Sequence, residues 1–306
     1  MTAPGAALVT GASSGIGRAV SERLADQGRR LVLAARGREA LEEVAGSCLA
    51  RGAETVDVEP ADVGDDAAVS ALLGRTLDRH GRLETCVHAA GVVAYGRLDA
   101  VPVEVFDGVV RSNVLGTANV ARHVLSVMRE QDRGSLVLVG SVLGHLGVPG
   151  MTPYVVSKWA VRGLARQLQL ENRDRPGLRV SYVEVGSVDT PIYENAGNYL
   201  GVQGRPPFPV SSPEHVADVI LRRLGRKHIS VGRANGVMRF GFTALPAVYD
   251  ALVGPLFDLA ASDHGRPVPA GPGNVLASVV GSQSLRGGLG GSVSAVGRNV
   301  RRRLVG

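Results

Sequence analysis

Tyr154 and Lys158 stand four positions apart in Tyr154-Val155-Val156-Ser157-Lys158. On a helix that spacing puts a phenol and an amine on one face, one turn apart. A free phenol titrates near pH ~10 and carries protons poorly at neutral pH. A neighbouring ammonium favours the phenolate, so the pair predicts a tyrosine tuned downward into the range of acid–base catalysis. The chain has six tyrosines and only two lysines, Lys158 and Lys227, and one of the two lysines stands where this chemistry wants it. The competing reading is a Tyr–Lys pair on the surface of an ordinary helix.

The elements that would carry such a pair follow from the pattern of the first 232 residues. Short apolar runs alternate with longer amphipathic stretches, which predicts βαβ units and a parallel sheet. The expected strands are Ala6 to Thr10, Arg30 to Ala35, Thr55 to Val58, Glu84 to His88, Ser135 to Gly140, Leu178 to Val183 and His228 to Val231. Helices are expected from Ile16 to Gln27, about Glu39 to Leu49, about Asp65 to Arg79, Pro102 to Glu130, Tyr154 to Glu171 and Pro213 to Leu224. The fold class is therefore α/β, a doubly wound parallel sheet of the Rossmann type with about seven strands and a C-terminal extension.

Between the first strand and the first helix lies Thr10-Gly11-Ala12-Ser13-Ser14-Gly15-Ile16-Gly17. Glycines let the backbone turn tightly and approach a pyrophosphate, whose charge is favoured at a helix N-terminus. Taken alone such a run is also compatible with a simple tight turn; its place in a βαβ unit favours phosphate binding. The spacing is Gly-x3-Gly-x-Gly and not the commoner Gly-x-Gly-x2-Gly.

Together with the Tyr-x3-Lys helix, that turn resembles the short-chain dehydrogenase/reductase family. The resemblance covers residues 6–232 and extends to further positions. Ser141 lies thirteen positions before Tyr154, at the end of the fifth strand, where the family has its serine. Asn113, in Ser112-Asn113-Val114-Leu115-Gly116, matches the family's asparagine, and Asp62-Val63 matches a pair that contacts adenine. The resemblance implies a catalytic set of Asn113, Ser141, Tyr154 and Lys158. In it Tyr154 moves the proton, Ser141 binds the substrate oxygen, Lys158 holds the nicotinamide ribose, and Asn113 holds a water that links Lys158 to solvent. It further implies cofactor contacts from Gly11, Ser13, Ser14, Gly15, Ile16, Gly17, Arg36, Asp62, Val63, Ala89, Ala90, Gly91, Val188 and Thr190, besides Asn113, Tyr154 and Lys158. Two positions depart from the family: His88 replaces the asparagine of Asn-Ala-Ala-Gly, and Val185 replaces the proline of Pro-Gly. His88 is expected to supply a different hydrogen bond, and no metal site is expected.

Charge argues the choice of cofactor. An acid at the end of the second strand would accept a ribose 2′-hydroxyl and repel a 2′-phosphate. Here Ala35 stands at that place and Arg36 follows, with a planar fork suited to phosphate. NADP(H) is therefore expected over NAD(H), with Arg36 and Arg38 as plain solvated loop residues in the competing reading.

The expected domains are 1–232 for dinucleotide binding and catalysis, 233–264 as an apolar extension serving as lid, wall or interface, and 265–306 as a largely disordered Gly/Pro/Ser/Arg-rich tail. The net charge of +6 is concentrated: residues 281–306 hold Arg286, Arg298, Arg301, Arg302 and Arg303 and no acid. The body is left near neutral, so no nucleic-acid partner is expected. A solvated tail is favoured, because its glycines disfavour a persistent helix, with adhesion to an anionic membrane surface as the alternative. No secretory signal or membrane-spanning run is read, and two cysteines make no disulfide framework, so a cytoplasmic protein is expected. Its expected partners are a small-molecule carbonyl or alcohol, apolar in character from Ile192, Tyr193, Tyr199, Leu200, Val202 and Phe208, and further copies of itself. The alternative to an enzyme is a non-catalytic NADP-binding regulatory module.

Overall fold

The computed structural model describes residues 5–279, 284–289, 297 and 299. Seven strands form a parallel sheet: β1 (Ala6–Thr10), β2 (Arg30–Ala35), β3 (Thr55–Pro60), β4 (Leu83–His88), β6 (Gly134–Val139), β7 (Leu178–Val185) and β10 (His228–Val231). Their order is β10-β7-β6-β4-β1-β2-β3, with every neighbouring pair parallel. Helices α1 (Gly15–Ala25), α2 (Arg38–Ala50), α3 (Asp66–His80), α4 (Val103–Val110), α5 (Gly116–Glu130), α6 (Thr152–Glu171) and α7 (Pro213–Arg222) connect them. Central strands such as β1 are buried along their whole length, because both faces are covered. Two apolar clusters result. One joins Val9, Leu33, Val137 and Val183 to Val20, Leu41 and Ile220. The other joins Leu8, Val32, Leu136 and Val180 to Leu72, Val124 and Val161.

The chain reverses its direction of winding between β1 and β4. There Thr10 and His88 lie side by side in register at the C-terminal ends of their strands. A crevice opens at such a switch point, and it is where ligands bind in sheets of this kind.

The long helix expected from Pro102 to Glu130 is interrupted by a π-helical turn, Arg111–Leu115, between α4 and α5. Widened turns of this sort are frequent at functional sites. Two small sheets stand beside the main one: β5 (Ala94–Tyr95) with β8 (Gly197–Asn198), and β9 (Val202–Gly204) with β11 (Ser262–Pro267). After β10 the apolar extension forms two helices, α8 (Asn235–Ala244) and α9 (Pro246–Ala260). The disorder expected from residue 265 does not hold for residues 265–279. Antiparallel pairing to β9, a backbone bond from Asn274 N to Asn195 O at 2.8 Å, and burial of Val275 against Val92, Val105 and Val109 hold that stretch in place. These contacts are all distant in sequence, which is why composition did not reveal them. Most of the expected tail beyond 279 lies outside the described residues.

Candidate active site

The glycine-rich turn follows β1 directly. Gly11 has φ +67, and a Cβ there would lie 2.6 Å from Ala90 N; Gly17 leaves room for Gly11 O, which a Cβ would approach to 2.1 Å. Both positions exclude side chains, and the turn is pressed against Ala89 and Ala90 after β4. The N-terminus of α1 has Ser14 as its N-cap residue, with no side-chain capping bond. It opens into a cleft of about 1050 Å³ lined by Gly11, Ser13, Ser14, Gly15, Ile16 and Gly17 on one side. The other walls are Ala35 and Arg36 after β2, Asp62 and Val63 after β3, Ala89, Ala90 and Gly91 after β4, and Thr190. Thus all but Asn113, Tyr154, Lys158 and Val188 of the expected cofactor contacts line one crevice. Val188 and Lys158, with Tyr154, line the chamber adjoining it. A helix terminus without a side-chain cap and a backbone cradle that a Cβ would fill fit a dinucleotide phosphate.

Arg36 is more than a loop cation. Its guanidinium donates to Asn274 O at 2.6 Å and Val275 O at 3.4 Å, tying the C-terminal segment over the end of the cleft. Burial lowers its pKa, with the nearby Asp62 carboxylate acting in the opposite direction. Asp62 itself accepts from Gly64 N at 2.9 Å, which shapes the turn after β3. Arg38, by contrast, is exposed and pairs loosely with Glu42 at 3.6 Å. Farther along, Gly15 N donates to Ser284 O at 3.1 Å, so the same segment crosses the glycine-rich turn.

The second chamber, about 1060 Å³, shares Ile16, Ala89, Gly91, Thr190 and Ile192 with the first. Ser141, Tyr154 and Lys158 face it together, surrounded by Val93, Tyr95, Leu143, Leu146, Met151 and Phe257. Tyr154 and Lys158 lie on one face of α6, with Lys158 Nζ 5.5 Å from the Tyr154 ring centre. Lys158 Nζ donates to Val139 O at 3.2 Å, which draws the ammonium to the end of β6.

The expected lowering of the Tyr154 pKa is not what the ligand-free site produces. Burial pushes the phenol up to about 12, opposed by a hydrogen bond with the Ser141 side chain. Burial also pulls Lys158 down to about 8, so desolvation is the largest influence on both groups. Tyr154 is therefore held as a proton donor.

Asn113 sits at the π-helical turn, almost wholly buried. Its Oδ1 accepts from Val92 N at 2.8 Å, while Nδ2 donates to Val92 O and to Ser157 Oγ, each at 2.9 Å. Ser157 Oγ in turn donates to Tyr154 O at 2.7 Å. The carboxamide thus locks the loop after β4 to α6, and its side-chain donors are committed to protein partners.

His88 makes the different hydrogen bonds expected of it. Nδ1 meets Thr10 Oγ1 at 2.7 Å and Nε2 meets Thr117 Oγ1 at 3.0 Å, bridging β1 to α5 in the interior. Burial, with the Lys158 charge, pulls its pKa down to about 3. A base with a depressed folded pKa contributes stability above its unfolded value near 6.5, and loses it as pH falls towards about 3. Urea melts of His88→Asn are accordingly expected to show a shallower loss of stability between pH 6.5 and about 4 than the parent; an equal loss would contradict the buried neutral imidazole. At the other departure, Val185 ends β7 in register with Val231, and a Cβ on Gly186 would meet Asn235 Oδ1 at 2.6 Å.

One hydrogen-bonding neighbour of Ser141 had no sequence signal. Tyr182, in the interior of β7, donates its hydroxyl to Ser141 O at 3.0 Å and accepts from Ser141 N at 3.3 Å. A Cβ on Gly140 would lie 2.2 Å from that ring, so the glycine before Ser141 makes room for it. Beyond Tyr182, fully buried Glu184 is ringed by His145, His228 and Arg239. This is a cluster of metal-ligand type among the described residues, but Arg239 already bonds the Glu184 Oε2 that faces both histidines.

Comparison with known proteins agrees with this architecture. The family model described as short chain dehydrogenase matches residues 5–199. The chain is 35% identical over 191 residues to the human dehydrogenase/reductase SDR family member 7, covering 61% of this chain and 56% of that protein. It is 35% identical over 220 residues to oxidoreductase UcpA of Salmonella typhimurium, covering 71% and 81% respectively. Among solved structures, levodione reductase superposes with a TM-score of 0.69 at 27% identity, over 76% of this chain and 98% of that one. An actinorhodin polyketide ketoreductase determined with NADPH gives a TM-score of 0.68 at 29% identity, over 76% and 97%. The chain belongs to the short-chain dehydrogenase/reductase family, a family of oxidoreductases. It spans little more than half the length of the human relative. No described helix is long and apolar enough to cross a membrane.

Proposed function

We propose that this protein interconverts a carbonyl and an alcohol on a hydrophobic small molecule, using NADP(H), with Tyr154 as the general acid and base. The observation that carries the reading is the meeting of the Tyr154 phenol, the Ser141 hydroxyl and the Lys158 ammonium in a largely apolar chamber that opens into the dinucleotide cleft. Bound at the turn Gly11 to Gly17, the dinucleotide supplies the hydride. Tyr154 donates its proton to the substrate oxygen in reduction and takes it back in oxidation. Ser141, fixed through its backbone by Tyr182, bonds that same oxygen as charge develops there. Lys158 holds a positive charge beside the phenol, and Asn113 sets the distance between α6 and the loop after β4. A regulatory module would have no use for this convergence.

Initial rates of NADPH and NADH oxidation against ketones, aldehydes and quinones test the reading. Turnover of apolar carbonyls with NADPH is expected, and none with any of the panel would overturn it. Arg36→Ala is expected to raise the NADPH Kd about ten- to a hundredfold and to leave NADH nearly unchanged, because a charged hydrogen bond to phosphate is lost. Equal effects on both cofactors would remove the argument for NADP(H). The pH response follows from the buried phenol. Reduction uses a proton that Tyr154 keeps at neutral pH, whereas oxidation needs the phenolate. Oxidation is therefore expected to rise by up to about tenfold per pH unit between pH ~7 and ~9, while reduction stays flat or falls.

A further inference from the structure

Two stretches of the C-terminal chain reach the dinucleotide cleft, and they are held in different ways. The first, residues 274–279, belongs to the body. Val275 is buried in an apolar cluster, Asn274 N donates to Asn195 O at 2.8 Å, and Arg36 donates to Asn274 O at 2.6 Å. Asn274, Ser278 and Val279 accordingly form part of the cleft wall.

The second stretch, Ser284 to Gly288, lies on the surface and touches the body at every residue. Ser284 O accepts from Gly15 N at 3.1 Å. Leu285 is partly buried against the apolar cluster that Val20 and Ile220 share. Arg286 pairs with Glu214, in the first turn of α7, at 3.0 Å. Gly287 fits so closely that a Cβ there would lie 3.0 Å from each of Thr190 O, Asp189 Oδ1 and Glu194 Oε1. Gly288 N donates to Glu194 Oε1 at 2.5 Å. Gly15 and Thr190 are themselves neighbours, since a Cβ on Gly15 would meet Thr190 Cγ2 at 3.0 Å. Both line the dinucleotide cleft, and Thr190 lines the Tyr154 chamber as well. The segment therefore crosses the cleft beside its junction with that chamber.

Gly15 is the first residue of α1, where N–H groups without helical partners carry the positive end of the helix dipole. The Ser284 carbonyl is a neutral occupant of that donor. A phosphate oxygen brings negative charge and is favoured there over a carbonyl. The rest of the hold is modest. Arg286 and Glu214 form a partly exposed pair, which contributes little, and Gly287 and Gly288 have no side chains to bury. Such a segment fills the donor by itself and yields it to an anion.

We propose that Ser284 to Gly288 is a displaceable strap, competing with the dinucleotide phosphate for the Gly15 amide and so weakening cofactor binding. The proposal rests on the reading of the cleft as a dinucleotide site. Trypsin cleavage of the full chain after Arg286, followed by mass spectrometry, reads the strap without reference to turnover. Saturating NADPH is expected to speed cleavage at that bond at least about threefold, because cleavage tracks the population of the released segment. In calorimetric titration, the double substitution Leu285→Ser with Arg286→Ser is expected to tighten NADPH binding about three- to tenfold, since apparent affinity scales with the fraction of open sites. Unchanged circular dichroism would show the variant folded. Slower cleavage with NADPH would mean that the segment clamps bound cofactor, and it would overturn the proposal. A folded double variant that binds NADPH no more tightly than the parent overturns it equally. If neither protein binds NADPH or NADH, the reading of the cleft falls, and the strap with it.

Discussion

Tyr154→Phe is expected to lower turnover by about a thousandfold or more while leaving the NADPH Kd within about twofold. In the proposed reaction the phenol oxygen is the atom that exchanges a proton with substrate, and phenylalanine removes that atom alone. Its ring keeps the packing against Val93, Tyr95, Met151 and Ala196, so the chamber retains its shape. Initial-rate kinetics and a fluorescence titration of NADPH separate the two effects. A Phe variant with near-native rate would remove Tyr154 from the chemistry, whatever the cofactor. Ser141→Ala should have a smaller effect of the same kind, about a hundredfold, since it removes one donor to the substrate oxygen.

Gly17→Ala is expected to destabilise the fold by about 3 kcal/mol or more and to weaken NADPH binding over a hundredfold. The added Cβ would meet Gly11 O at 2.1 Å, a backbone atom that moves only if the whole turn opens. That turn is the cradle at the N-terminus of α1, so the same displacement would spoil the proposed phosphate site. Gly46→Ala on α2 is the matched control: beyond its chain neighbours and its own helix backbone nothing described lies within 4 Å of its Cβ, and a helical alanine should gain up to about 1 kcal/mol. Thermal melts and calorimetric titration of the pair would distinguish a steric effect from a general effect of glycine replacement. Equal behaviour of the two variants would refute it.

Much of the site was legible because its residues belong to local patterns. The β–turn–α rhythm follows from apolar periodicity, and Tyr154 and Lys158 share a face of α6 through helical spacing alone. Ser141 and Asn113 were found by resemblance; Ser141 faces the chamber beside Tyr154, and Asn113 is buried against Val92 and Ser157. Asn113 still gave no sign of the π-helical turn that carries it, since the sequence there reads as continuous helix. Tyr182 resembled any buried strand aromatic, and its role depends on the neighbouring strand β6 that delivers Ser141.

The protonation of the Tyr–Lys pair was beyond a linear reading. Spacing shows the attraction between the two groups but not how much water surrounds them. Burial, set by chain segments far away in sequence, reversed the expected direction for Tyr154. Residues 265–279 make the same point from the other side, because low-complexity composition concealed partners such as Asn195 and Arg36.

The chain by itself determined the α/β class, the glycine-rich turn after the first strand and the shared helical face of Tyr154 and Lys158, since each depends on residues close to one another in sequence. Only the tertiary structure decided the burial of Tyr154 and Lys158, the placing of Asn113 and Ser141, and the exposure of α9. Those depend on which distant surfaces are removed from water, and that is a property of the packed whole.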